Sequence, residues 1–552
     1  MTLEQAIGTA FLACVFAAAP LLFMLAYFAS QFHGLSDPLA LDQAQIARNI
    51  ASEGDRGVFV TDVVTPLSLR HNSDLTRHPD GMNAPLGPLV LALAFRIAPP
   101  SDKAAALLTV ALWYLVLGVT CLFAWRAFGP AAAALATIVV GINITVLTAA
   151  LSGTPRMLTT LLCTLMLYAM YELGAGSAGG SSAPSPPMLR TCARAALWGG
   201  IFGLACLASP RACLLLPGLL LYIWAWPEAR RARGVACVVA ALLVASPWLV
   251  RNTLVFGNPL FSLRWYDLMM FTRSFPADSL LQTYAPPSSP LVFCITHPGE
   301  MLAKMITALG GLREALFTTS DFYVGAVFVV AAFIRLGDER FERLRLAVYV
   351  MMAVMAIGVA ATRPEATAFL VFVPFVSIVA SAMFLGQLSR LHLRFPIGRF
   401  RRMRADVMQW LIILAALLLL LYPVWMAFQR SKWTRPPPPP RQLLEPAEHL
   451  IEEGAPAATN MPWDVAWRLQ RTGVLAPATE HEFRQIEAAT GPIEYVVLGT
   501  PMRPNPRGAH DIFWLSLADP APMDAQGYRL LAGFEIRPGL RAIVRRRGAE
   551  GG

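Results

Sequence analysis

The residues best suited to do chemistry cluster in one polar stretch near the N-terminus, Asp37-Pro-Leu-Ala-Leu-Asp42-Gln-Ala-Gln-Ile-Ala-Arg48-Asn-Ile-Ala-Ser-Glu-Gly54. Asp37 followed by Pro38 is a helix start, because an aspartate caps free N–H groups and proline suits the first helical position. Asp42 then falls within the first turns. A carboxylate there complements the positive end of the helix dipole; set in a large polar loop, it is also the best candidate for an active site. Arg48, on the same stripe as Leu41, Gln45 and Asn49, either binds phosphate or snorkels along an apolar surface. Further on, Val58 to Val64 reads as a β-like stretch. A polar run then reaches Arg77-His78-Pro-Asp-Gly-Met-Asn-Ala-Pro85, where a lone loop histidine is ordinarily solvated.

The rest of the chain must hold this loop at a membrane. Of 552 residues, 56% are hydrophobic and 14% charged, against about 25% charged in an average soluble chain. Apolar runs of bilayer-spanning length begin near residues 7, 104, 131, 157, 195, 212, 235, 322, 345, 366 and 407, or about eleven spans. The N-terminal run lacks the basic leader and small-residue cleavage site of a signal peptide, so it is expected to stay as a helix. The shorter run from Pro85 to Ala98 suits an interfacial or re-entrant helix. If it does not cross, the basic clusters Arg230-Arg231-Arg233, Arg335 to Arg345 and Arg390 to Arg404 all lie inside. Short outside loops then carry little more than Arg156, Arg211 and Arg363. The positive-inside rule selects that arrangement and accounts for the net charge of +10 without a nucleic-acid partner. Arg251, ending a span on the outside beside Asn252, runs against the rule, which favours a role for it.

The expected fold is therefore an α-helical polytopic membrane protein. Residues 1–430 form the transmembrane domain, with interfacial helices in the first outside loop. Residues 431–441 form a stiff Pro-rich linker around Pro436 to Pro440. Residues 442–552 form a small extracytoplasmic α/β domain, with a helix over 442–453, a helical 480–489 and strands at 495–498 and 542–544. The eight cysteines show no metal-ligand spacing and no disulfide framework, and read as small buried hydrophobes.

Several motifs resemble the GT-C superfamily of membrane glycosyltransferases, in particular bacterial enzymes similar to protein mannosyltransferases and aminoarabinose transferases. They are Asp42-Gln-Ala-Gln-Ile-Ala-Arg-Asn-Ile-Ala, then Ala84-Pro-Leu-Gly-Pro-Leu-Val, and Phe128-Gly129. Gly200 to Arg211, Pro247-Trp-Leu-Val-Arg-Asn252 and Phe256 to Ser262 follow in the expected order. The resemblance implies transfer of a sugar from a polyprenyl-phosphate donor to a lipid, glycan or protein acceptor on the outer face of the plasma membrane. The N-terminus would be cytoplasmic and the C-terminal domain extracytoplasmic.

It also implies that Asp42 acts as general base or orients the acceptor. That suits the chemistry, since displacing a glycosyl phosphate needs a base near the acceptor and cations near the departing phosphate. Substrate-binding candidates are Asp37, Arg48, Arg77, His78 and Arg251, with Asp37 also readable as a plain helix cap. Two positions depart from the family pattern: Gln43 stands where many relatives carry Glu, and Ser152-Gly-Thr-Pro-Arg156 lacks the acidic residue often found in the second outside loop. No metal ligands are therefore assigned, no cofactor is expected with certainty, and a divalent metal stays an open alternative. A Trp-containing segment, Asn460-Met-Pro-Trp-Asp-Val-Ala-Trp467, either stacks on sugar rings or fills a small core. The competing function is a non-catalytic binder of lipid-linked sugar or a transporter. Few intramembrane charges and no repeated halves disfavour transport.

Overall fold

A computed structural model describes residues 18–52, 59–174, 188–225, 230–286, 288–390, 403–433, 444, 447–500, 512–519, 524–537 and 540–548. Each expected apolar run coincides with a helix over its described residues; the start of the first, residues 7–17, lies outside them. Six helices are long and apolar enough to cross a membrane: Asp102–Phe128, Met188–Ala208, Arg230–Phe256, Glu339–Ala361, Ala366–Arg390 and Ile412–Gln429. Two bent pairs, Pro130–Ile142 with Ile144–Leu151 (59°) and Pro298–Ser320 with Phe322–Ala331 (105°), raise the number to eight if each counts as one span. Shorter apolar helices lie at Ala18–Gln31, Leu86–Ile97 and Pro210–Trp224.

Local chemistry sets the breaks. Ser101 caps Asp102–Phe128 by accepting from the Ala104 N–H at 3.2 Å, and Gly129 ends it at φ +88°. Asn143 interrupts the first bent pair: its backbone is extended and its side chain accepts from Val146 N at 2.9 Å, so it caps the second half. Its amide also donates to Thr319 O at 3.0 Å and to Asp321 at 3.2 Å, which joins the two bent pairs at their breaks. Among the helices the buried rings of Trp113, Phe123, Phe341 and Phe375 lie in one apolar core. The seven described cysteines are all free; Cys14 lies outside the described residues.

The run from Pro85 to Ala98 forms the helix Leu86–Ile97. At about 1.5 Å per residue it is roughly 18 Å long, too short for a bilayer. It packs on the helix Pro38–Ala51, with Leu91, Ala92 and Phe95 against Leu41, Ala44 and Ala47.

Beyond the last helix stands a seven-stranded mixed sheet in the order β1-β3-β2-β4-β7-β6-β5. The strands are β1 (Val63–Val64), β2 (Ala457–Thr459), β3 (Gly473–Leu475), β4 (Tyr495–Thr500), β5 (Asp524–Ala525), β6 (Tyr528–Arg537) and β7 (Leu540–Arg547). The first four in sheet order run parallel; β7, β6 and β5 add antiparallel. The edge strand β1 comes from the first loop, Val63 and Val64 pairing with Gly473 and Val474. The expected β-like stretch at 58–64 is therefore strand only at its end, and its partner is more than four hundred residues away in sequence. The helix Glu480–Thr490 covers the sheet through Phe483 and Ile486. Of the helix expected over 442–453, residues 444, 447 and 448 are helical; 441–443, 445 and 446 lie outside the described residues.

Candidate active site

Asp37 caps the helix Pro38–Ala51, accepting from Leu39 N at 3.0 Å, and its other oxygen pairs with Arg156 at 2.7 Å. The cap fixes the register of everything that follows. One turn on, Asp42 is turned inward and buried, 5% exposed. Its Oδ2 accepts from the Asn83 amide at 2.7 Å and its Oδ1 from the Gln45 amide at 3.1 Å. Gln45 in turn donates to Thr61 Oγ1 at 2.7 Å and accepts from Asp62 N at 2.9 Å. The helix and the chain leading to β1 are thereby tied together beneath the carboxylate.

A second carboxylate stands beside it. Asp80, also buried, accepts from the backbone of Met82 at 3.0 Å and of Asn83 at 3.1 Å, folding the loop around itself. The Asn83 amide reaches Asp80 Oδ1 at 3.3 Å as well as Asp42, so one NH2 group bridges the two carboxylates. Burial, followed by the charge of Asp80, pushes the Asp42 carboxyl up to about 7, against the opposing pull of Asn83, Gln45 and Arg264. Burial also raises Asp80. Asn83 Oδ1 is buried without a hydrogen-bond partner. An orphaned acceptor of this kind costs about 1–3 kcal/mol unless something donates to it.

Two arginines lie near this pair. Arg251 donates to Asp80 O at 2.7 Å and lies over the Trp248 and Phe256 rings at 4.7 and 5.1 Å. Arg264 donates to Met82 O at 3.4 Å and faces Asp267 at 4.0 Å.

A cavity opens at the start of the same helix. Leu39, Ala212, Leu215, Met355 and Leu370 give it an apolar wall, and Arg156, Arg211 and Glu365 give it a charged one. Arg211 pairs with Glu365 at 2.8 Å, and Arg363 holds Glu365 at 2.8 Å and Asp278 at 2.9 and 3.0 Å. Burial would raise the Glu365 carboxyl, but Arg211 and Arg363 overcome it and hold the group low. Gly87 of the short helix lies against both Gln43 and the cavity-lining Pro155, where a Cβ would collide with the Gln43 side chain and crowd Pro155. The short helix thus joins the cavity wall at Pro155 to the helix that carries Asp42.

The remaining candidates fall elsewhere. Arg48 donates to the carbonyls of Ala466 and Trp467, both at 3.0 Å, and to Asp62 at 3.2 Å, and stacks at 5.4 Å over the Trp467 ring. It ties the surface helix to the sheet region. Arg77 is exposed. His78 is buried with Nδ1 3.3 Å from Asp74 O, and burial lowers its ring to about 4, so it packs as a neutral side chain. Trp467 packs parallel to Phe95 at 6.0 Å and is 8% exposed, which leaves no face free for a sugar. The structure thus brings Asp42 and Arg251 to one site, ties Asp37 to the neighbouring cavity only through its ion pair with Arg156, and keeps Arg48, Arg77 and His78 apart from both.

Asp80, Asn83 and Arg264 went unnoticed in sequence. Among the described residues no group of three or more His, Cys, Asp or Glu side chains is placed to hold a metal ion. The two carboxylates have an amide as their bridging partner, and no metal is assigned.

No protein-family profile and no curated protein matches the sequence. The structure, however, resembles solved membrane proteins. ArnT from Cupriavidus metallidurans bound to undecaprenyl phosphate aligns with a TM-score of 0.60 at 14% identity over 98% of both chains. Its apo state aligns at 0.57 and 15% identity, again over 98% of both. Archaeal oligosaccharyltransferase AglB from Archaeoglobus fulgidus, in complex with an inhibitory peptide and a dolichol-phosphate, aligns at 0.53 and 13% identity over 85% of this chain and 66% of its own. At such identities the likeness is one of fold: the chain shares its overall architecture with these membrane proteins.

Proposed function

We propose that this protein is an integral-membrane glycosyltransferase that moves a sugar from a polyprenyl-phosphate-linked donor to an acceptor on the extracytoplasmic face, with Asp42 as general base. The observation that carries the reading is a juxtaposition. A buried carboxylate raised to about 7 lies one helical turn from Leu39, which lines a largely apolar cavity that also carries Arg156 and Arg211. An apolar wall suits a lipid tail, and arginines suit phosphate oxygens. A base near neutrality suits an acceptor hydroxyl.

In the proposed reaction the acceptor O–H bond breaks and its proton passes to Asp42. The acceptor oxygen forms the new bond to the sugar's anomeric carbon. The old carbon–oxygen bond breaks, and its electron pair leaves with the polyprenyl phosphate. Arg211 and Arg363 meet that phosphate in exchange for part of their contact with Glu365. Similarity in fold to proteins solved with undecaprenyl phosphate and dolichol-phosphate supports the donor class. The charge pattern supports an arrangement of about eleven spans with the first loop and the C-terminal domain outside.

The test is sugar transfer by purified protein with polyprenyl-phosphate donors, comparing wild type with Asp42→Asn. The expected result is loss of turnover with lipid binding retained. Full activity in Asp42→Asn would overturn the assignment, and tight lipid binding without turnover on any donor would support a non-catalytic binder instead.

A further inference from the structure

Asp42 does not stand alone in its pocket. The Asn83 amide donates to it at 2.7 Å and to Asp80 Oδ1 at 3.3 Å. Asp80 is held in turn by two backbone N–H groups of its own loop and, through its carbonyl, by Arg251 at 2.7 Å. Both carboxylates and Asn83 are more than nine-tenths buried. Water is thus largely excluded, and the charge of one carboxylate is felt strongly by the other.

We propose that Asp80 is a positioning residue for the transfer: through the shared Asn83 amide it fixes the Asp42 carboxylate, and by its charge it makes Asp42 a stronger proton acceptor. This rests on the reading of Asp42 as the base. The charged groups that face the pair are Asp80 itself, Arg264 from the segment after the helix Arg230–Phe256, and Arg251 from the end of that helix. Arg264 is drawn toward Asp267 at 4.0 Å. Arg251 bonds to the Asp80 carbonyl rather than its carboxylate, so neither arginine closes an ion pair on Asp42 in place of the amide. The same amide that orients the pair leaves Asn83 Oδ1 without a donor. That acceptor is well suited to take a hydrogen bond from an incoming hydroxyl before its proton moves.

The experiment is a pH titration of the protonated-carboxyl infrared band of full-length protein in detergent. The Asp42 component is identified as the part absent in Asp42→Asn. In wild type its midpoint is expected at about 7. Asp80→Asn removes the neighbouring charge and is expected to lower the midpoint by about one pH unit or more. Asp80→Glu restores the charge and should bring it back. Asn83→Ala removes a donor to the ionised form and should move it upward. A midpoint unmoved in Asp80→Asn would overturn the proposal. If Asp80→Asn fails to fold, Asp80→Ser, which also removes the charge, is read in its place. Transfer retained in Asp42→Asn would instead sink the base assignment, so the two failures are distinguishable.

Discussion

The indole nitrogen of Trp467 donates to Asp102 Oδ1 at 2.6 Å, and Asp102 Oδ2 accepts from the backbone of Leu35 at 3.0 Å. Asp102 lies in the first turn of the long helix Asp102–Phe128, so three parts of the chain meet on one carboxylate. Arg468 completes the joint by donating to Leu35 O at 2.6 Å. The aromatic segment near residue 467, ambiguous in sequence between sugar platform and core, is thus the contact by which the sheet region docks on the membrane helices.

Trp467→Phe keeps the stacking on Phe95 but removes the N–H. A hydrogen bond to a charged group contributes about 1.5–3 kcal/mol, so the variant should unfold several degrees earlier in a detergent thermal melt. Asp102→Asn should cost a similar amount. Because both act in one network, the double variant should cost less than their sum. Additive, near-zero effects would show that the joint is not energetically coupled.

Stability should depend on pH through Asp42. Its folded carboxyl is raised to about 7 from an ordinary value of 3.8, so between those values the folded state holds a proton that the unfolded state has released. Stability therefore falls as pH rises through that window. An asparagine carries no such penalty. The melting temperature of Asp42→Asn relative to wild type should accordingly be higher at pH about 8 than at pH about 5, by a few degrees. A difference that stays flat across the range would mean that Asp42 is not raised.

The pairing of Met188–Ala208 with Arg230–Phe256 depends on two glycines. A Cβ on Gly199 would run into the Cys237 carbonyl, and one on Gly203 would lie 2.9 Å from the Ala241 carbonyl. Close backbone approach over small residues is a common way for membrane helices to associate. Gly199→Ala should therefore lower thermal stability markedly. Gly200→Ala, where the added carbon meets nothing within 4 Å, should be tolerated or mildly stabilising. Equal tolerance at both positions would contradict the packing described.

How far the sequence reveals this site depends on the range of the interactions. Asp37, Pro38 and Asp42 were legible because capping and helix phase are local, and the short helix Leu86–Ile97 because its length decides its fate. Asp80 and Asn83 were not, although His78-Pro-Asp-Gly-Met-Asn is printed plainly in the chain. Nothing local says that this loop folds back under Pro38–Ala51. Strand β1 was only half legible for the same reason, since its partner Gly473 lies in the C-terminal region. The arginine wall had a signal that went unused. Arg156, Arg211 and Arg363 are nearly all the basic charge in the short loops that the charge pattern expects outside, and the structure gathers all three around Asp37, Glu365 and Asp278. Charge that violates the positive-inside tendency was, in effect, a list of anion-site candidates.

That gathering leads to a prediction about donor binding. Glu365 lies between Arg211 and Arg363, 2.8 Å from each, and occupies the hydrogen-bonding positions that a phosphate would use. A lipid phosphate must therefore compete with it. Glu365→Gln removes the competing charge and should tighten binding of undecaprenyl phosphate several-fold, as read by native mass spectrometry or a tryptophan-fluorescence titration. Arg211→Gln and Arg363→Gln each remove a charge-assisted donor contributing about 1.5–3 kcal/mol, which corresponds to a loss of roughly 10- to 100-fold in affinity. Asp42→Asn should leave this affinity unchanged, because the base acts on the acceptor and not on the lipid phosphate. Wild-type affinity in both arginine variants would remove the phosphate from this cavity, and the donor would have to be sought beside Arg251 and Arg264 instead.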